Sequence, residues 1–182
     1  MLQQKLFALL TKGKEAKDLE EDKITDFLET VLNARLSAWQ MEWHSQARLG
    51  TTGEDTNQLA RADLSTKVGN NTIVAEALRI YSYKKLTSQK SNIEEHILKT
   101  FNQTSTRKYF YNLIYYQGDD YKNDWDFLKT IISETKFPKE YDLSVPLEED
   151  KDSSTSDIKV CRTLHHNGVI CYHIFINIVY EA

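Results

Sequence analysis

The segment Thr72–Ile80, ThrIleValAlaGluAlaLeuArgIle, constrains this chain most. Read as an extended strand, it puts Ile73, Ala75 and Ala77 on one side and Val74, Glu76 and Leu78 on the other. Apolar residues on both sides point to a strand covered on both faces. A carboxylate in such a strand is costly to bury without a partner. The residues Gly69-Asn70 just before it suit a two-residue hairpin loop. Val68 then faces Asn71, and every opposed pair sums to 139. That register sets Asp63 against Glu76 and Arg61 against Leu78. Opposed residues point to the same face with Cβ atoms roughly 5 Å apart. Two like charges held so repel, and a divalent cation with a preference for oxygen ligands would relieve the repulsion. The alternative is an ion pair from Glu76 to Arg61 or Arg79 at the sheet edge.

The rest of the chain reads as one domain of 182 residues. Residues 1–13 form a short helix with Leu2, Leu6, Leu9 and Leu10 on one stripe. Residues 14–135 form the main core. It opens with a helix to Leu36, whose apolar face is Ile24, Phe27, Leu28, Val31 and Leu32, with Glu29 beside that face. Trp39–Arg48 reads as a strand, and LeuGlyThrThrGlyGluAspThrAsn, 49–57, as a loop. Strands Leu59–Val68 and Thr72–Ile80 follow. Ser91–Phe101 is a helix with Ser91 as N-cap three residues before Glu94. Lys108–Tyr116 is a strand and Asp124–Ile132 a helix. Residues 136–157 hold both prolines and many acids and read as an acidic surface loop. Residues 158–182 form a closing hairpin around His166-Asn167-Gly168; with Asn167-Gly168 as a two-residue loop its opposed pairs sum to 335, which keeps Cys161 and Cys171 from facing each other. The expected class is α+β, a mixed α/β sandwich.

Composition narrows the function. The net charge of −4 argues against a protein that coats nucleic acid by bulk charge. Two cysteines make neither a disulfide framework nor a four-ligand zinc site. No apolar run approaches the ~18 residues of a membrane span. The N-terminus lacks the charged start and cleavage site of a signal peptide, so a cytoplasmic protein is expected. No phosphate loop or dinucleotide fingerprint occurs. His165, His166 and His173 read as polarity around the last turn. Tyr81, Tyr83, Lys84 and Lys85 suit either a phosphate-and-base contact or a solvated strand end.

The acid, the hairpin and the Glu-bearing apolar strand together resemble the PD-(D/E)XK nuclease superfamily, the restriction-endonuclease-like fold. The matching stretches are ArgAlaAspLeuSer, IleValAlaGluAlaLeuArg, IleGluGluHisIleLeuLysThrPhe, TyrPheTyrAsnLeuIleTyrTyr and AspTrpAspPheLeu. They resemble a branch with Glu-Ala-Leu in place of Glu-X-Lys, associated with bacterial and phage-defence proteins. The resemblance implies a helix-strand-strand-strand-helix-strand core, here with an added C-terminal helix and β-hairpin. It also implies a nuclease using Mg²⁺ or Mn²⁺, with Asp63, Glu76 and Glu29 as metal ligands. Its substrate would be DNA ahead of RNA, and its partners a defence-system protein or a second copy. The family lysine would fall at position 78, where Leu78 stands. Arg61 is the first replacement cation to consider and Lys99 the second, with His96 on the same helix. The other expectation is an inactive site on a fold kept as a binding scaffold.

Overall fold

The structure, a computed structural model, describes residues 21–36, 41–52, 55–68, 71–80, 86–101 and 109–178. The expected helix over 1–13, the Gly69-Asn70 turn and the Tyr81–Lys85 cluster lie outside the described residues.

The apolar stripe ending at Leu36 forms helix α1 (Glu21–Leu36), followed by strands β1 (Trp43–Thr52), β2 (Asp55–Val68) and β3 (Asn71–Ile80). A 3₁₀ turn at Leu86–Gln89 leads into α2 (Lys90–Phe101), then β4 (Tyr109–Tyr116) and α3 (Tyr121–Glu134). The chain closes with a short β5 (Glu148–Glu149), β6 (Ile158–Leu164) and β7 (Ile170–Asn177). The result is a mixed α+β fold around a seven-stranded sheet in the order β1-β2-β3-β4-β7-β6-β5. β3, β4 and β7 run parallel; the other neighbours are antiparallel. Central parallel strands must be covered on both faces. Accordingly, Val74 to Ile80 are all buried. Ala75 and Ala77 face α1 through Ile24, Leu28 and Leu32. Val74, Leu78 and Ile80 face Ile93, Ile97 and Phe101 of α2 and Leu128 and Ile132 of α3. Among the described residues no helix is long and apolar enough to cross a membrane.

Three expectations need correction. Residues 49–57 are mostly strand: β1 continues to Thr52, which pairs with Asp55 at the start of β2. This hairpin stands at the sheet edge, where no apolar alternation marks a strand and composition alone reads as loop. Ser91 is not the N-cap of α2, since the helix begins at Lys90 straight out of the 3₁₀ turn. The last hairpin pairs Leu164 with Ile170 and Cys161 with His173, one step from the expected register. His165 leaves the ladder to bridge Leu143, and Gly168 takes the left-handed φ of 79° that closes the turn. The two cysteines are still not opposed, and both are buried free thiols.

The segment 136–157 lies mostly at the surface, as expected, and is strapped to the core at a few points. Phe137 and Tyr141 are buried, and Leu143 and Leu147 pack on the same core. Ser144 N–H donates to the Leu164 carbonyl at 2.8 Å. Four apolar anchors spaced among acids are diluted in any composition average. A turn at the far end of the segment is closed by Asp150, which accepts from the Ser153 N–H and hydroxyl.

The cap of α3 gives a direct test of local structure. The Asp120 carboxylate accepts from the Asn123 N–H and, at 2.7 Å, from the Asn123 side chain. Asp120→Ala is expected to lower stability by about 1 kcal/mol in urea unfolding, and Asp120→Asn to leave it within a few tenths.

Candidate active site

β3 runs between α1 and α2, and strand alternation turns Glu76 toward α2. Its side chain is 0% exposed, and Lys99 Nζ stands 2.7 Å from Glu76 Oε2. Lys99 lies in the last turn of α2, where the helix dipole also favours a cation. It is 46% exposed, so it reaches from solvent down to the buried carboxylate. An aliphatic stem with a charged tip is suited to that position.

Asp63 lies on the neighbouring strand. The β2–β3 ladder keeps the expected register from Val68↔Asn71 to Leu64↔Ala75 and ends there. The next N–H of β3 on that edge, from Ala77, donates instead to Asp63 Oδ2 at 2.7 Å. Asp63 is half-buried and shares the α2 side with Glu76. Because β2 leaves β3 at this point, the ladder does not continue to set Arg61 against Leu78. Arg61 instead pairs with Arg48 of β1, and its side chain lies outside the described residues. Leu78 belongs to the apolar core under α2.

His96 is one turn before Lys99 and lines a narrow cleft with Glu76, Leu78, Ile97 and Asn112. Burial, then the Lys99 charge, lowers its pKa against smaller raising effects from the Ala77 backbone and Asp63. The ring is therefore neutral at neutral pH, and it does not supply the cation missing at Leu78. Its Nε2 is buried with no hydrogen-bond partner among the described residues.

Glu29 is elsewhere. It sits on α1, over the opposite face, and its Oε2 accepts the Ser45 N–H at 2.8 Å. One turn on, Asn33 bonds both the N–H and the carbonyl of Trp43, at 2.7 and 2.9 Å. Glu29 and Asn33 together fasten β1 to α1. Among the described residues no three His, Cys, Asp or Glu side chains come together as a metal-holding group.

The sequence did not show how the polar side chains continue along the sheet. Asn112 of β4 is the ladder partner of Glu76. It accepts from the Thr100 hydroxyl at 2.7 Å and meets His173 Nδ1 and Cys171 Sγ, each at 3.3 Å. Thr163 Oγ1 stands between His173 Nε2, at 3.2 Å, and His165 Nε2, at 3.1 Å. His165 and His173 are buried, which corrects their reading as turn polarity; of these three, His166 alone is exposed. The available signal was one Asn inside an otherwise aromatic strand. No known protein-family model matches the chain, and no curated protein matches it.

Two predictions follow from these burials. Lys99→Met removes the cation beside a buried carboxylate, and breaking a buried pair by one partner costs about 3–5 kcal/mol. The half-exposed lysine places the expected loss near the lower end, roughly 3 kcal/mol. Adding Glu76→Gln should recover much of it, read as coupling in a double-mutant cycle.

Burial lowers the pKa of His165, and that of His173 to about 3. A histidine with a folded pKa below its unfolded value binds its proton more readily when unfolded. Its contribution is thus present above pH ~6.5 and is lost as pH falls below that value. Urea unfolding should show stability falling between pH 6.5 and 5 by at most about 1.4 kcal/mol per pH unit for each histidine. His173→Gln should flatten that slope.

Proposed function

We propose that the chain is a metal-dependent phosphodiesterase domain of the restriction-endonuclease-like kind, acting on nucleic acid, with Lys99 in place of the lysine absent at position 78. The observation that carries this reading is the 2.7 Å contact between Lys99 Nζ and Glu76 Oε2, on the sheet side that Asp63 shares. The element order supports it: a helix, three antiparallel strands, a helix, and a strand parallel to the third.

Asp63 and Glu76 are hard oxygen donors, a set that suits Mg²⁺ or Mn²⁺ held by one or two carboxylates plus water. Such an ion would polarise the phosphate and lower the pKa of a coordinated water. The chain's own residues do the rest. Asp63 is fixed by the Ala77 N–H. With a metal ion on the carboxylates, Lys99 would be free to meet a phosphate oxygen, and its 46% exposure would give it that reach. Neutral His96, one turn before Lys99 in the same cleft, is the candidate proton acceptor. DNA is the proposed substrate ahead of RNA, in a cytoplasmic setting, alone, as a dimer, or with a partner protein of a bacterial defence system.

A second reading also has an observation behind it. Glu76 is wholly buried and already paired, and Leu78 sits in apolar packing, which favours a silent site on a binding scaffold. Cleavage assays on single- and double-stranded DNA and RNA, with Mg²⁺ or Mn²⁺, separate the two. The nuclease reading predicts activity abolished in Glu76→Ala. It also predicts a fall of about a hundredfold in Lys99→Ala, the effect typical of losing one electrostatic stabiliser. Both variants are to be checked for folding by circular dichroism. No cleavage by wild type or Leu78→Lys, with no metal bound in calorimetry, sinks the nuclease reading and supports the scaffold.

A further inference from the structure

The buried polar chain on the α2 side of the sheet has a fixed direction. His165 Nδ1 contacts the Tyr141 carbonyl, which only accepts, so Nδ1 carries the hydrogen and Nε2 is bare. The Thr163 hydroxyl therefore donates to His165 Nε2, at 3.1 Å. Its oxygen is left to accept from His173 Nε2–H, at 3.2 Å. His173 Nδ1 is then bare and accepts from the Asn112 amide, whose oxygen accepts from the Thr100 hydroxyl. Every imidazole nitrogen is assigned by this one anchor at Tyr141.

We propose that this chain is a two-state acid switch, in which one added proton reverses every bond from Thr163 to Thr100. In the second state His165 carries hydrogens on both nitrogens, and Nε2–H donates to Thr163. The Thr163 hydroxyl donates to His173 Nε2. His173 carries its hydrogen on Nδ1 and donates to the Asn112 oxygen, the amide having turned over. The Asn112 amide then donates to Thr100, whose hydroxyl turns to the His96 carbonyl, already 3.4 Å away. One solvent proton enters at His173 Nδ1, two pass along through Thr163, and the charge resides on His165; none leaves. The first state satisfies each of these buried groups; the second leaves one Asn112 N–H without a partner in the chain, a cost that favours the first at neutral pH. Cys171 fits both, since its sulfur accepts from the amide in the first and its S–H donates to the amide oxygen in the second.

The groups around the rings are few. Phe101 of α2 and Phe137 and Tyr141 of the strap contact His165 edge-on. Cys161 pairs with His173 across β6–β7, and burial keeps both thiols neutral. Lys129 and Glu149 act on Cys161 with opposite signs. The desolvation that lowers both imidazole pKa values holds the neutral state at neutral pH. The switch stands whether or not the protein cleaves nucleic acid.

Long-range ¹H–¹⁵N spectra of histidine-labelled protein read each nitrogen directly. At pH 7.5 the expected pattern is His165 protonated on Nδ1 and His173 on Nε2. On acidification below pH 6.5, His165 should become doubly protonated while His173 stays neutral and exchanges Nε2–H for Nδ1–H at the same midpoint. Thr163→Ser should retain the coupled change, and Thr163→Val should let His165 titrate with no change at His173. A His173 tautomer that stays fixed while wild-type His165 titrates overturns the proposal. So does unfolding before either ring responds.

Discussion

A carboxylate in the middle of a strand covered on both faces must find a cation, and Glu76 finds Lys99. The carboxylate has no access to water, so the protein has to supply what the solvent would have supplied. That requirement fixes more than one contact. It sets the rotation of α2 over the sheet, because Lys99 must face β3 while Ile93, Ile97 and Phe101 pack beside it. Nearby, Asp63 takes the Ala77 N–H and ends the β2–β3 ladder, so the two strands diverge where the acids lie. The same side of the sheet continues into Asn112, His173, Thr163 and His165. The polar row therefore has a charged end at Lys99, open to solvent, and a neutral end sealed beneath Phe101, Phe137 and Tyr141.

Much of the fold could be read from periodicity. Hairpin parity gave the β2–β3 register from Leu64 to Val68, and the apolar runs gave β3, β4, α2 and α3. What escaped was structure whose sequence carries no period. The β1–β2 hairpin stands at an edge, where side chains need not alternate. The strap after α3 is held by four scattered anchors. His165 was misplaced because parity assumed an even loop, and one residue of difference moves a side chain to the other face.

The site was legible by half. Alternation placed Asp63 and Glu76 on one side, because strand geometry is nearly rigid. It could not say which cation arrives, since that depends on the seating of a helix over the sheet. Arg61 ranked first on the assumption that the ladder continued past Asp63, and a side chain taking a backbone N–H interrupts it. Lys99 has no signature in its own sequence. Only the packing of Ile93, Ile97 and Phe101 tells which way it points. Glu29, next to the apolar stripe of α1, meets β1 at Ser45.

The central proposal is that Asp63 and Glu76, with Lys99 beside them, bind a divalent cation. Paramagnetic broadening by trace Mn²⁺ in isotope-labelled protein tests it most directly. The account predicts that the side-chain signals of Asp63 and Glu76 broaden first, with Lys99 close behind. Broadening that begins in the acidic stretch from Glu148 to Asp152 and leaves Glu76 sharp would contradict it.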